Sequence, residues 1–199
     1  MSDRGKLIIL SGPSGAGKST VVFKAIAKRP DICFSTSVTT RSPRPGEVHG
    51  REYFFVDQKR FDDMIKNGEL LEHARYVSNS YGTPRTYVEE QLSKGINVVL
   101  DIEIQGARQV HNAVPDAITI FILPPSFEDL RNRLEKRGTD NAEAIEARIR
   151  RAKEELNEAD FYQYLIINED ADRAAQEFSA IITAEHCRYD MQLAKKMMK

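Results

Sequence analysis

Several things are scarce in this chain of 199 residues, and each absence removes a class of function. It has only two cysteines, Cys33 and Cys187, far apart and outside any CxxC or Cys/His spacing, so a disulfide framework or a zinc site of that type is not expected. Two idle thiols fit a reducing compartment. No apolar run approaches the roughly 20 residues a membrane span needs. The opening "MSDRGKLIIL" holds too short an apolar stretch for a signal peptide, and Gly12 interrupts it. The expected location is therefore cytoplasmic. The net charge is -1, so no bulk attraction to nucleic acid or to an anionic membrane is expected. The four histidines (His49, His73, His111, His186) share no spacing that suggests a metal site or a catalytic set. Internal repeats and low-complexity segments are absent.

What is present suits one globular domain with appendages. Hydrophobic residues make up 41% and charged residues 30%, enough to bury a core and keep a solvated surface. The apolar runs Lys6 to Ser11, Ile96 to Asp101, Ala117 to Leu123 and Tyr164 to Asn168 read as strands buried on both faces of a parallel sheet. Helical patterns run Lys18 to Lys28, Pro84 to Lys94, Gln105 to Ala113, Phe127 to Arg137, Ala142 to Ala159 and Asp172 to about Lys195. Strands alternating with helices predict an α/β fold with right-handed crossovers.

Two stretches break that rhythm. Ser35 to Tyr81 carries turn residues, the strand-like "REYFFV", a helix near Lys59 to Asn67, and "ELLEHARYV". It reads as a small, mostly β insert. Ser126 to Asn157 is rich in Arg, Lys and Glu and reads as a helical hairpin. Gly138 can close its first helix, and Asp140 with Glu143 can open its second. Arg131, Arg133, Arg150 and Arg151 read as solvated helix charges.

"GPSGAGKS", Gly12 to Ser19, fits G-x-x-x-x-G-K-[ST] and lies between a predicted strand and a predicted helix, the context such a phosphate-binding loop requires. Gly12, Gly15 and Gly17 permit a tight turn, and the loop amides with the helix N-terminus form an anion nest. Ser14, Ala16 and Thr20 complete the loop. Lys18 is placed to reach the β- and γ-phosphates and the Ser19 hydroxyl to ligate Mg²⁺. The expected co-substrate is ATP. GTPases also need a base-reading Asn-Lys-x-Asp segment, and the chain has none; "INED" with Asn168 is a poor match.

A second anion site is suggested by "SVTTRSPRPGEVHGREYF", Ser37 to Phe54. Arginine forks bind phosphate bidentately. Arg41 and Arg44 stand three apart, stiffened by Pro43 and Pro45, with Arg51 nearby. Tyr53 and Tyr81 can each donate one O–H to a phosphate oxygen. A phosphorylated acceptor held against ATP needs such fixed cations. Guanine's pairing edge offers N1–H and N2–H₂ donors, which carboxylates accept; Glu72 and Asp101 are candidates, with hydroxyls from Ser37 and Thr83. Asp101 ends an apolar strand, where P-loop enzymes also support Mg²⁺. Both roles stand open.

These residues resemble the guanylate kinase family across essentially the full chain. The matching motifs are "GPSGAGKS", "TTRSPRPGEVHGREYFF", "LLEHA", "YGT", "VVLDIEIQGA", "FILPPS" and "RLEKRGTD". The resemblance implies a P-loop core (1-34, 84-125 and 158-199), a GMP-binding insert (35-83) and a lid (126-157). It implies that Ser37, Glu72 and Thr83 read guanine, with Asp101 close by. Arg41, Arg44, Tyr53 and Tyr81 would hold the GMP phosphate. Arg137 and Arg148 would grip the transferring phosphoryl group from the lid, and Asn168 would lie near adenine. The implied reaction is phosphoryl transfer from ATP to GMP, and to dGMP, with Mg²⁺, in a monomer or small homo-oligomer. A P-loop kinase for another phosphorylated acceptor is one alternative. A non-catalytic phosphopeptide-binding domain of the same fold is another, disfavoured by the intact Lys18 and Ser19.

Overall fold

The computed structural model describes residues 4–76, 78–138, 140–188, 195 and 198. In chain order its elements are β1 (Leu7–Ser11), α1 (Lys18–Ile26), β2 (Ile32–Phe34), β3 (Val38–Thr39), β4 (Phe54–Phe55), α2 (Gln58–Lys66), β5 (Leu70–Tyr76) and β6 (Asn79–Pro84). There follow α3 (Arg85–Ser93), β7 (Asn97–Asp101), α4 (Ile104–Ala113), β8 (Ile118–Leu123), α5 (Phe127–Arg137), α6 (Ala142–Asn157), β9 (Tyr164–Ile167) and α7 (Ala171–His186).

The expected α/β sheet is there. Five parallel strands are ordered β2-β7-β1-β8-β9. Their apolar runs are continuous because helices cover both faces. Successive side chains of a strand point to opposite faces. Ile8 and Leu10 therefore pack with Val21 and Val22 of α1 and Phe178 and Ile182 of α7. Leu7 and Ile9 pack with Val88, Leu92, Ala107 and Val110 of α3 and α4. Ile8, Ile9 and Leu10 are fully buried, each stabilising the fold by about 1.5–3 kcal/mol of transfer free energy. The ends of β1 and β7 then present Ser11 and Asp101 at one edge of the sheet.

A second sheet, ordered β4-β3-β6-β5, is mixed: β3 runs parallel to β4 and antiparallel to β6, which pairs antiparallel with β5. Helix α2 packs Phe61 and Met64 against Val38 and Leu70. Helices α5 and α6 form a hairpin with its own small core of Leu130, Leu134, Ile145, Ile149 and Ala152.

Several expectations are corrected at element ends. Strand β2 is unpredicted; its three residues are too few to show a period. Of "REYFFV", only Phe54 and Phe55 join a sheet, because Gly50 N–H donates to Tyr53 O and folds the preceding residues into a turn. Pro84 closes β6 and caps α3 rather than lying in the helix. Asp140 does not open α6: the cap is Asn141, whose side chain accepts from Ala144 N–H, while Asp140 pairs with Arg148. Gly138 closes α5 at φ 67° as expected. Helix α7 ends at His186, and residues 189–194 of the longer expected helix lie outside the described residues.

Candidate active site

The loop between β1 and α1 has the shape its glycines predict. Gly17 sits at φ 90°, a left-handed conformation that a side chain would strain. A Cβ there would also lie 2.3 Å from Asn168 Nδ2. Lys18 begins α1 and donates from Nζ to Gly12 O at 2.6 Å, with Asp101 Oδ1 at 3.7 Å. Ser19 Oγ donates to Asp101 Oδ2 at 3.4 Å. Lys18, Ser19, Thr20, Ser14, Gly15 and Gly17 line a cleft of about 170 Å³ together with Arg137 of α5. Arg148 of α6 donates to Ser14 Oγ at 2.6 Å. Two arginines far off in sequence thus meet the loop.

Asn168, at the end of β9, is buried, and its Nδ2 donates to Ala16 O at 2.7 Å. Its amide therefore braces the loop from behind. Arg133 is not the solvated charge expected of it. It is half-buried and donates from Nη2 to Asn168 O at 2.6 Å and from Nη1 to Ala16 O at 3.3 Å. A polar helix hides in sequence which of its charges meets a neighbour, and Arg133 lies on the face that carries Leu130 and Leu134. Arg131, by contrast, pairs with Glu146 within the hairpin, and Arg151 with Glu155.

A second cleft of about 300 Å³ opens between the mixed sheet and the end of β7. Ser37, Tyr53, Glu72, Tyr81 and Asp101 all line it, which brings five of the eight expected acceptor-site residues together. Thr83 joins them through Glu72: its Oγ1 donates to Glu72 Oε1 at 2.7 Å, and both residues are buried. Arg41 stands over the Tyr53 ring at 5.3 Å. Arg44 offers an exposed side chain, while its backbone N–H donates to Glu47 Oε2 and its carbonyl accepts from Glu47 N–H.

The electrostatics single out two carboxylates. Glu72 has no cationic partner among the described residues. Burial pushes its pKa up, and the Thr83 hydrogen bond only partly opposes this. A buried carboxylate with one hydrogen bond retains lone pairs that need donors. Asp101 is also pushed up by burial, against the pull of Lys18 and then of Ser19. Its side chain keeps 28% of its surface open, and it lines both the second cleft and a smaller one beside Lys18.

Ser19 and Asp101 supply two hard oxygen donors in contact, which suits Mg²⁺. No group of three or more His, Cys, Asp or Glu side chains among the described residues could hold a metal by itself. A magnesium ion here needs phosphate oxygens and water to fill its shell, as is usual for this cation.

Sequence reasoning missed three residues of this site. Glu47 accepts from both terminal nitrogens of Arg41, at 2.9 and 3.0 Å, and from Arg44 N–H, so it closes the arginine loop on itself. Glu103, two residues beyond Asp101, lines the second cleft and the one beside Lys18; the doubled acid in "DIE" was the available signal. Gly106 is needed for space, since a Cβ there would lie 2.9 Å from Glu72 Oε2. Nothing local in the sequence announces that contact.

Known proteins resemble this chain over nearly its whole length. The family model described as guanylate kinase matches residues 4–185. A guanylate kinase of Lactococcus lactis subsp. lactis is 48% identical over 190 residues, covering 96% of this chain and 93% of that relative. One from Streptococcus pneumoniae strain R6 is 50% identical over 189 residues, covering 94% and 90%. The crystal structure of guanylate kinase from Anaplasma phagocytophilum superposes with a TM-score of 0.71 at 37% identity, over 92% of this chain and 87% of that one.

Proposed function

The chain belongs to the guanylate kinase family and is an ATP:GMP phosphotransferase, and from that premise we propose how its two clefts divide the work. The loop from Gly12 to Thr20 holds the ATP phosphates, with Asn168 close to the adenine. The second cleft holds GMP. Ser37, Glu72 and Thr83 read guanine, with Asp101 beside them, and Arg41, Arg44, Tyr53 and Tyr81 hold the GMP phosphate. The three parts are a core (1-34, 84-125, 158-199), an acceptor insert (35-83) and a lid (126-157). The carrying observation is the buried Glu72–Thr83 pair: an uncompensated carboxylate in a cleft that shares Asp101 with the phosphate loop. Guanine's N1–H and N2–H₂ supply the donors that this carboxylate lacks.

In the reaction an oxygen of the GMP phosphate attacks the γ-phosphorus. That O–P bond forms while the bond to the β,γ-bridging oxygen breaks, and ADP leaves. A phosphate monoester is largely dianionic at neutral pH, its second pKa being about 6, so no side chain has to remove a proton from the nucleophile. The protein contributes position and charge. Lys18 leaves its resting contact with Gly12 O for the phosphates. Arg137 and Arg148 come from the lid, where a well-placed arginine is worth about 10³ or more in rate. Ser19 and Asp101 would hold Mg²⁺, which when bound would supply positive charge to offset that of the phosphates. A closed lid excludes water and so suppresses ATP hydrolysis.

The enzyme works in the cytoplasm as a monomer or small homo-oligomer, without nucleic-acid or membrane partners. Its slight net charge supports the lack of a bulk attraction to nucleic acid or an anionic membrane. No described helix is long and apolar enough to cross a membrane. The test is a coupled ADP-release assay with Mg²⁺, ATP and a panel of GMP, dGMP, AMP and IMP. GMP and dGMP should turn over. IMP, without the 2-amino group, should lag, and AMP should fail. Protein that leaves GMP unphosphorylated under these conditions would sink the reading.

A further inference from the structure

The lid helix α5 does not merely hover over the phosphate loop; it is bonded to the loop's main chain. Ala16 O accepts two hydrogen bonds, one from Asn168 Nδ2 at 2.7 Å and one from Arg133 Nη1 at 3.3 Å. Arg133 also donates to Asn168 O at 2.6 Å, so it bridges the loop and the end of β9. Leu130 and Leu134 press on the same loop, each 3.0 Å from where a Cβ on Gly15 would stand.

A trans peptide is planar, and its C=O and N–H point in opposite directions. The Ala16 carbonyl and the Gly17 N–H belong to one peptide. Pinning that carbonyl toward Asn168 and Arg133 turns the Gly17 N–H the other way, toward the cleft lined by Ser14, Lys18 and Ser19. This N–H donates to no protein group among the described residues. The positive φ of Gly17 leaves the peptide free to flip unless something holds it.

We propose that Arg133 and Asn168 are positioning residues that fix the Ala16–Gly17 peptide so that its N–H stays aimed at the bound phosphates. A preset donor costs no reorganisation when the anion arrives. The inference rests on the reading of Gly12 to Thr20 as the ATP-phosphate nest, and it concerns main-chain geometry rather than any contact with the base.

Tripolyphosphate tests it, because that ligand has the anion and no adenine. Titration calorimetry would compare the intact protein with R133Q, R133K, N168A and the R133Q/N168A double variant. R133Q and N168A should each weaken tripolyphosphate about tenfold, and ATP by at least as much. The double variant should lose less than the product of the two, because both act on one carbonyl. R133K should not restore affinity, since it keeps the charge but not the two-point fork. GMP affinity should be unchanged in every variant, which also reports that each is folded. Tripolyphosphate affinity within twofold of wild type in both single variants would overturn the proposal. So would full rescue by R133K, or an effect of R133Q without one of N168A, either of which would leave only the charge. If the unsubstituted protein binds neither tripolyphosphate nor ATP, the reading of the nest itself falls.

Discussion

Glu72→Gln separates two quantities that the wild-type residue ties together. The carboxylate is raised in pKa by burial, so the folded state holds its proton more tightly than the unfolded chain does. Its contribution to stability is present below the ordinary glutamate range and is lost as pH rises through the raised value. A neutral Gln, which can still accept from Thr83 Oγ1, has no such loss. The free variant should therefore gain on wild type in urea midpoint as pH goes from 4 to 8. Its KM for GMP should meanwhile rise about ten- to hundredfold, since hydrogen bonds to a charged group are worth about 1.5–3 kcal/mol. A stability gap that stays flat with pH would mean that Glu72 is not the buried charge described. Glu72 was named from sequence as an acid that could accept from guanine, and the resemblance rather than its spacing singled it out; the structure shows it buried in the second cleft. Gly106 and Glu47 were not singled out, because each matters only through a residue that the tertiary fold brings to it.

At the scale of elements, the α5–α6 hairpin is the part with the least support from the main sheet. Its core is five side chains, and α6 starts on a single cap, Asn141 to Ala144 N–H at 2.8 Å. Asn141→Ala should cost about 1 kcal/mol locally, or about fivefold in an opening equilibrium. Hydrogen exchange should show faster amides through the first turns of α6, with the slow amides of β1 and β7 unchanged. Equal protection in both proteins would argue against a separately opening lid. Elements with long apolar runs were readable from sequence. Strands β2 and β3, of three and two residues, were not, and β4 was read too long, because pairing with neighbours rather than pattern defines them. Arg133 was misread for a related reason: helical spacing gives a face, and only packing says what that face meets.

For the whole molecule, two polyanions must be brought together against their repulsion. If the arginines on the acceptor loop and on the hairpin supply the opposing charge, as proposed, binding both nucleotides should draw these parts inward. Small-angle scattering with GMP plus a non-hydrolysable ATP analogue should give a smaller radius of gyration than the free protein. An unchanged profile would mean that the clefts are already closed. The general α/β plan was legible at this scale, because buried parallel strands alternating with helices leave few arrangements. The way α5 rests on the phosphate loop was not, since it depends on contacts between segments more than 100 residues apart.

Asp101 faces both compartments, and if each takes its nucleotide as proposed, that double membership links the two thermodynamically. Whatever one nucleotide does to the ionisation or orientation of this carboxylate, the other feels, and the influence must be equal in both directions. Donor and acceptor affinity should therefore move together when Asp101 is changed. Titrating each nucleotide in the presence of the other would measure that mutual influence, whichever sign it takes.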